Sequence, residues 1–435
     1  MEEKELPKQP KFETKALHAG QTPDPTTLAR AVPVYRTSSY VFRDTTHAAN
    51  LFALKEAGNI YTRLQNPTTE VLENRLAALE NGAGALAVSS GTTAIFYSII
   101  NLAKAGDEIV SANDLYGGTY TQFNNILPDF GLKTRFVSPS VPENFAKGIN
   151  DKTKAVFTET IGNPALDVPD FHAIADIAHE NGLPYIVDST FTTPYLFNPI
   201  DSGADIVVHS LTKWIGGHGT AIGGAVVDGG NFDWAKPGKY PGLTEPDASY
   251  HDIRYAFDLG GNSRLAYITR MRLVPLRNLG GCISPDNSWF FLQGLETLPL
   301  RMKRHCENAA RIAEFLSSND KVSWVKYPGL DTHPSHHNAK KYFRNGYGGM
   351  IVFGVKGGRT AGENLINNLK LVSHLANVGD AKTLAIHPAS TTHSQLSEKE
   401  QLEGGISPEL IRLSVGLENI DDIEEDLSQA LKKTS

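Results

Sequence analysis

The sequence predicts an α/β protein in which a largely parallel sheet is wrapped by helices and followed by a smaller α+β domain. Three observations predict it. Short apolar runs bounded by turn residues recur from about residue 85, helical segments of roughly 10–15 residues separate them, and this rhythm stops near residue 228. Strands that alternate with helices need crossover connections, and such connections leave neighbouring strands parallel.

Residues 1–35 have no clear period and begin an N-terminal arm that extends to residue 70. A helix follows Asn66-Pro67, with Val71, Leu72, Leu76 and Leu79 along one face, and ends at Asn81-Gly82. Then come a strand over 85–89, a helix over 92–104, a strand over 108–111, a helix over 121–130 and a strand over 133–137. The alternation continues with a strand over 154–159, a helix over 169–179, and strands over 184–188 and 205–210. Residues 228–263 are rich in Gly, Pro, Asp and Tyr and read as a long excursion from the sheet domain. A large α/β domain over 71–287 is then followed by a C-terminal domain over 288–435. The latter opens with a long helical stretch over 288–317, with strands over 322–327, 350–355 and 411–415 and helices over 361–371 and 423–431.

The 435 residues allow two or three domains at roughly 150 residues each, with cores large enough to need no metal or disulfide staple. Lys and Arg total 41 against 48 Asp and Glu, a net charge of −7 that argues against nucleic acid as a partner. Two cysteines, Cys282 and Cys306, cannot build a disulfide framework, which suits a reducing compartment. The charged start MEEKELPKQPKF lacks a signal-peptide core, and no apolar run approaches the ~18 residues of a membrane span. A soluble, cytoplasmic protein is expected.

Ligands of open parallel sheets sit beyond the carboxyl ends of the strands, and four chemical groups follow such ends. Ser89-Ser90-Gly91-Thr92-Thr93 stands between a strand and a helix, where free N–H groups, a glycine and hydroxyls suit a phosphate. Alone it is also an ordinary N-cap, and it matches neither the GxGxxG fingerprint nor a P-loop. Asp188 closes the strand PYIVD, where a carboxylate can hold a heterocyclic ring nitrogen protonated. Lys213, in Ser210-Leu211-Thr212-Lys213-Trp214, can form a Schiff base with an aldehyde if its surroundings lower its pKa, with the two hydroxyls nearby for phosphate. Glu159 and Asn163-Pro164 follow a fourth strand, and Asn163 can donate to a phenolate oxygen. Each group has a plainer structural explanation, but together they meet the requirements of pyridoxal 5′-phosphate (PLP). The histidines His333, His336 and His337 in HPSHHNAKK lack a carboxylate or Cys partner at ligand spacing, so they read as a solvated loop and no metal is expected.

Several segments in one order then make a wider likeness. AVPVYRTSSYVF, YTRLQNPTT, SSGTTA, DLYGGTY, ETIGNP, SLTKWIGGHG, QGLETLPLR and IRLSVGLE together resemble the Cys/Met-metabolism family of fold-type I PLP-dependent enzymes, over nine-tenths of the chain. Within it they resemble the O-acetylhomoserine sulfhydrylases most. The resemblance implies a mostly parallel seven-stranded sheet with helices on both faces. It also implies that Lys213 carries the cofactor, Asp188 partners the ring nitrogen, and Gly91, Thr92, Ser210 and Thr212 bind the phosphate. Tyr116 resembles the tyrosine stacked on the cofactor ring near the leaving group. Tyr61 and Arg63 resemble a pair that reaches the neighbouring subunit's phosphate, which implies a homo-oligomer, a dimer at least and a tetramer as the expected assembly. Arg412, alternating with Ile411 and Leu413, suits bidentate grip of an α-carboxylate, with Asn377 near it. Ser189 and Thr92 depart from the usual Asn and Met or Gln of relatives, and Asp286-Asn287 replaces an apolar stretch.

The implied reaction is a γ-replacement, O-acetyl-L-homoserine plus sulfide giving L-homocysteine and acetate in methionine biosynthesis. Cystathionine γ-synthase, γ-lyase and O-succinylhomoserine sulfhydrylase activities remain the alternatives, since one cofactor site serves them all. The length of the 228–263 excursion favours the sulfhydrylase.

Overall fold

Seven short runs, most of them buried on both faces, pair into one sheet: β1 Gly84–Val88, β2 Glu108–Ala112, β3 Lys133–Val137, β4 Thr153–Glu159, β5 Tyr185–Asp188, β6 Ile206–Ser210 and β7 Gly224–Asp228. The computed structural model describes residues 9–392, 394, 397–403 and 405–434, so the charged segment 1–8 lies outside the described residues. The spatial order is β1-β7-β6-β5-β4-β2-β3. All neighbours are parallel except β7, which runs antiparallel to both β1 and β6. Near-continuous apolar runs such as IVVHS and YIVD are what a sheet covered on both faces requires. The edge strand β3, KTRFV, instead carries Lys133 and Arg135 and is the most exposed of the seven.

Helices are set by their ends. Pro67–Glu80 starts on Asn66, whose side chain accepts from the Thr68 N–H, with Pro67 at the first helical position and Asn81 left-handed at its close. Gly91–Ile100 is capped by Ser90 and Phe171–Glu180 by Asp170. Strand β7 was absent from the sequence expectation because GAVVD is short and fenced by glycines, the composition of a loop. The expected helix over 121–130 begins earlier, at Gly117, and passes through a π turn over Gln122–Ile126, next to the missing amide donor of Pro128. The stretch expected as one helix over 288–317 is two, Pro285–Glu296 and Leu298–Ser317, because Pro299 starts a new helix after Thr297.

A second sheet has the order β10-β11-β12-β9-β8, formed by β8 Val322–Lys326, β9 Met350–Val355, β10 Ser373–His374, β11 Leu384–Ile386 and β12 Leu410–Ser414. It has its own apolar core. The helix Leu298–Ser317 serves both, placing Leu298, Met302 and Cys306 in the large core and Ala309, Ile312, Ala313 and Leu316 in the small one. Its buried polar residues face the loops that bear the chemistry. Arg301 donates to the carbonyls of Trp214 at 2.7 Å and Ile215 at 3.0 Å. His305 Nδ1 sits 2.6 Å from the Val415 carbonyl, and Asn308 donates to Gly416 at 3.0 Å.

The excursion after β7 lies at the amino ends of the parallel strands. Asp228 pairs with Ile206 at the start of β6, and the Tyr240 hydroxyl donates to Lys154 and Gly182 carbonyls at the starts of β4 and β5. Trp234 stacks on Tyr267 with ring centroids 5.2 Å apart. The histidine loop also differs from its expected solvated state. His333 is buried with Nδ1 3.2 Å from Ser335 Oγ, and His336 pairs with Asp331, while only His337 is exposed. Serine and proline turns fold the loop onto the Leu166–Val168 region, which composition could not show.

Burial holds His305 neutral, with its pKa lowered from 6.5 to about 4. The unfolded chain therefore binds a proton below pH 6.5 that the native chain refuses until about pH 4, so this residue's stabilisation is lost as pH falls across that window. Between pH 7 and pH 5 it should remove about 2 kcal/mol from the unfolding free energy. Denaturant titrations of His305→Gln should show a correspondingly shallower loss of stability over that range.

Candidate active site

At the carboxyl ends of β1, β4, β5 and β6 lies a cavity of about 250 Å³. Its lining includes Gly91, Thr92, Tyr116, Asn163, Asp188, Ser210, Thr212, Lys213, Asn377 and Arg412, which brings together every expected site residue except Tyr61 and Arg63. Ser90 starts the helix Gly91–Ile100 and accepts from the Thr93 N–H at 3.1 Å, leaving the earlier amides of the turn pointing outward. Gly91 is required by packing, since a Cβ there would stand 2.6 Å from the Cβ of Ser210. The Ser210 amide in turn donates to Thr190 Oγ1 at 2.8 Å. The Thr212 hydroxyl faces Gly223, accepting from its amide at 3.1 Å.

Parallel register sets Glu159 beside Asp188 on adjacent strands. Both carboxyls are buried and their pKa values are raised, Asp188 mainly by burial and Glu159 by burial and then by the charges of Asp188 and Asp114. The Thr190 amide, 2.9 Å from Asp188 Oδ1, and the charge of His209 oppose the rise at Asp188. No cation of the chain pairs with these two carboxyls among the described residues, so the site is built to receive one. Glu159 Oε1 accepts from the Tyr116 amide at 2.7 Å and fixes that backbone. The Tyr116 ring folds over Gly118, where a Cβ would lie 2.5 Å from Cε1. Asp114, behind Glu159, is pushed up to about 8 by burial.

Opposite these acids stand two cations. Lys213 Nζ donates to Asn377 Oδ1 at 2.6 Å, and burial, with the charge of Arg412 second, lowers its pKa to about 8. Arg412 leaves the middle of β12 between Val352 and Ile386, while Ile411 and Leu413 face the small core, as their alternation predicts. Its guanidinium is largely buried in the cavity wall, and Tyr116 rather than a carboxylate is its neighbour among the described residues. A buried guanidinium without an acid is a receptor for one.

PLP offers a phosphate, a ring nitrogen, a ring oxygen and an aldehyde. The helix start with its hydroxyls, the Asp188 carboxyl, the Asn163 amide and the Lys213 amine of lowered pKa match these in turn, and the unpartnered acids match a ring N–H cation. The residues fit the group. Comparison with known proteins agrees: the model of the Cys/Met metabolism PLP-dependent enzymes matches residues 13–432. The chain belongs to that family. It is 54% identical to an O-acetyl-L-homoserine sulfhydrylase of Leptospira meyeri over 98% of both chains. It is also 54% identical to a homocysteine synthase of Schizosaccharomyces pombe, over 97% of this chain and 98% of that one. A solved Campylobacter jejuni structure described as an O-acetylhomoserine (thiol)-lyase superposes with a TM-score of 0.92 at 40% identity, covering 97% of this chain and 99% of that one. That structure carries a pyridoxyl-lysine monophosphate. The chain is thus PLP-dependent, like its family.

Tyr61 and Arg63 lie outside this cavity. The Arg63 guanidinium carbon stands 5.2 Å from the Tyr61 ring centroid, on an exposed stretch of the arm. Sequence reasoning did not assign roles to Thr190, Ile95, Ile161, Phe191, Ile222 or Val378, which also line the cavity. Thr190 had a signal, since DST directly follows a strand end. The apolar residues had none, because their contribution is shape. Among the described residues no group of three His, Cys, Asp or Glu side chains could hold a metal ion, and no helix is long and apolar enough to cross a membrane.

The lowered pKa of Lys213 has a measurable consequence. Uptake of PLP by the cofactor-free chain should speed up with rising pH through about 8 and then level off. An ordinary lysine would keep accelerating toward pH ~10.4, and stopped-flow absorbance separates the two profiles.

Proposed function

We propose that this protein catalyses γ-replacement, converting O-acetyl-L-homoserine and sulfide to L-homocysteine and acetate. The observation that carries the reading is the shared cavity, in which the buried Lys213 amine and an acid-free Arg412 guanidinium face one space. An amino acid can be gripped there by its carboxylate while its Cα meets a base. The sulfhydrylase and homocysteine synthase names of relatives above 50% identity favour replacement of acetate at Cγ by sulfide over the other family reactions.

When bound, PLP supplies an aldehyde for the substrate amine and a ring that withdraws electrons from the carbons beside it. Asp188 would keep the ring nitrogen protonated, Asn163 would donate to the ring oxygen, and Gly91, Thr92, Ser210 and Thr212 would hold the phosphate. Arg412 grips the α-carboxylate in a fork, with Asn377 positioning both the carboxylate and Lys213. As a free amine, Lys213 is the base that takes the Cα proton and carries protons to and from Cβ. Tyr116 stands near the leaving oxygen and acts there as acid, its backbone held by Glu159. Across the cycle the Cγ–O bond breaks with loss of acetate, and a Cγ–S bond forms as sulfide gives up a proton.

Tyr61 and Arg63 complete the phosphate site of a neighbouring subunit, so the working unit is a dimer at least, with tetramers as its cytoplasmic form. In this arrangement 1–70 is the exchanging arm, 71–287 the cofactor domain and 288–435 the C-terminal domain.

Borohydride should fix the cofactor to the intact chain at Lys213, as read by peptide mass, and Lys213→Ala should retain none. Covalent cofactor in that variant would sink the lysine assignment. O-acetylhomoserine with sulfide should yield homocysteine, whereas dominant 2-oxobutyrate release would make the protein a γ-lyase. Arg412→Lys keeps the charge but loses the fork, so kcat/KM should fall about 10–100-fold, mostly through KM.

A further inference from the structure

The excursion over 228–263 cannot shape the cavity of its own chain, because it lies at the other end of the sheet. Its contacts lead elsewhere, to the arm. We propose that the excursion and the helix behind it clamp the arm at two points, holding Tyr61 and Arg63 in place for the neighbouring subunit's phosphate. The proposal rests on the two-subunit reading above.

The arm doubles back on itself. Ser39 bridges to Tyr61, the Thr62 amide donates to Ser38 at 2.9 Å, and Asn66 Nδ2 donates to the Tyr35 carbonyl at 2.8 Å. Between these strands of chain runs the helix Thr45–Phe52, capped by Asp44. Its last carbonyl, that of Phe52, accepts from the Tyr250 hydroxyl at 2.8 Å. Tyr250 is buried, with the Arg277 guanidinium carbon 5.3 Å from its ring centroid. The turn that presents it is anchored by Asp247, which accepts from the Ser249 amide at 2.9 Å and the Tyr255 hydroxyl at 2.9 Å. His251 and Asp252 follow at φ 52° and 54°, a left-handed pair that such anchoring sustains. The second point is Arg272, which donates to the Leu64 carbonyl at 2.6 Å and to Glu73 at 2.7 Å. Leu64 directly follows Arg63.

Between the two grips the exposed Arg63 guanidinium lies over the Tyr61 ring and forms no ion pair among the described residues. A donor pair fixed at both flanks surrenders less conformational freedom when it meets a phosphate, and that saving appears as tighter cofactor binding. Tyr250 and Arg272 are therefore positioning residues that never touch the cofactor.

The test compares cofactor dissociation constants of full-length holoenzyme by equilibrium dialysis. Arg63→Ala, losing a charged donor to phosphate, should weaken binding about tenfold or more. Tyr250→Phe keeps the ring, and Arg272→Lys keeps a charge for Glu73 but cannot reach both partners. Each should weaken binding roughly threefold, and neither should weaken it further in the Arg63→Ala background, because coupled sites are not additive. Wild-type affinity in both single variants would overturn the clamp. So would full additivity with Arg63→Ala, which marks a general loss of structure. An unchanged affinity in Arg63→Ala would overturn the two-subunit reading and the clamp with it. Mixing Lys213→Ala with Arg63→Ala chains tests that reading separately, since a shared site restores activity in mixed dimers.

Discussion

Buried charge without an internal partner is the constraint on which this molecule turns. Lys213 and Arg412 share a cavity, largely out of water, with two buried carboxyls, Glu159 and Asp188, that form no ion pair among the described residues. Isolated buried ions are costly, so the surrounding fold must supply the difference. Two sheets, two cores and a shared helix do so. The chain holds apart charges that only an incoming molecule can satisfy, with acids at one end for a cation and bases at the other for an aldehyde and a carboxylate.

The local part of this design was legible in the sequence because it is local. A strand that ends in Asp188, a helix that starts at Ser90-Gly91 and a lysine three residues after a strand all announce themselves by short-range pattern. The structure puts them in one place for one reason: parallel strands end on the same edge. Arg412 was legible from alternation alone, since Ile411 and Leu413 had to face a core. What escaped was set by long-range packing. Strand β7 looked like a loop until β1 and β6 flanked it on both sides. The helix over 288–317 looked continuous because period cannot reveal a restart at Thr297. His333 looked solvated because nothing in HPSHHN tells that the loop folds back on Val168. Tyr61 and Arg63, carried over by likeness alone, find no ligand within one chain.

The length of the excursion was read in the sequence as favouring the sulfhydrylase, and a direct role at the reacting atoms would be the simple explanation. Its aromatic cluster instead seals the amino ends of β4 and β5. Under the proposed clamp its influence on chemistry passes through the arm, and so through a second copy of the chain.

The helix Leu298–Ser317 acts as a caliper. Through Arg301 it holds the loop after Lys213, and through His305 and Asn308 it holds the chain just past Arg412. One rigid rod therefore fixes the span between the amine and the guanidinium, and the two sheets cannot slide to admit a longer or shorter amino acid. Exchange of the apolar side chains that line the cavity, Ile95, Phe191 and Ile222 among them, leaves that span unchanged and is the open route to a change of specificity.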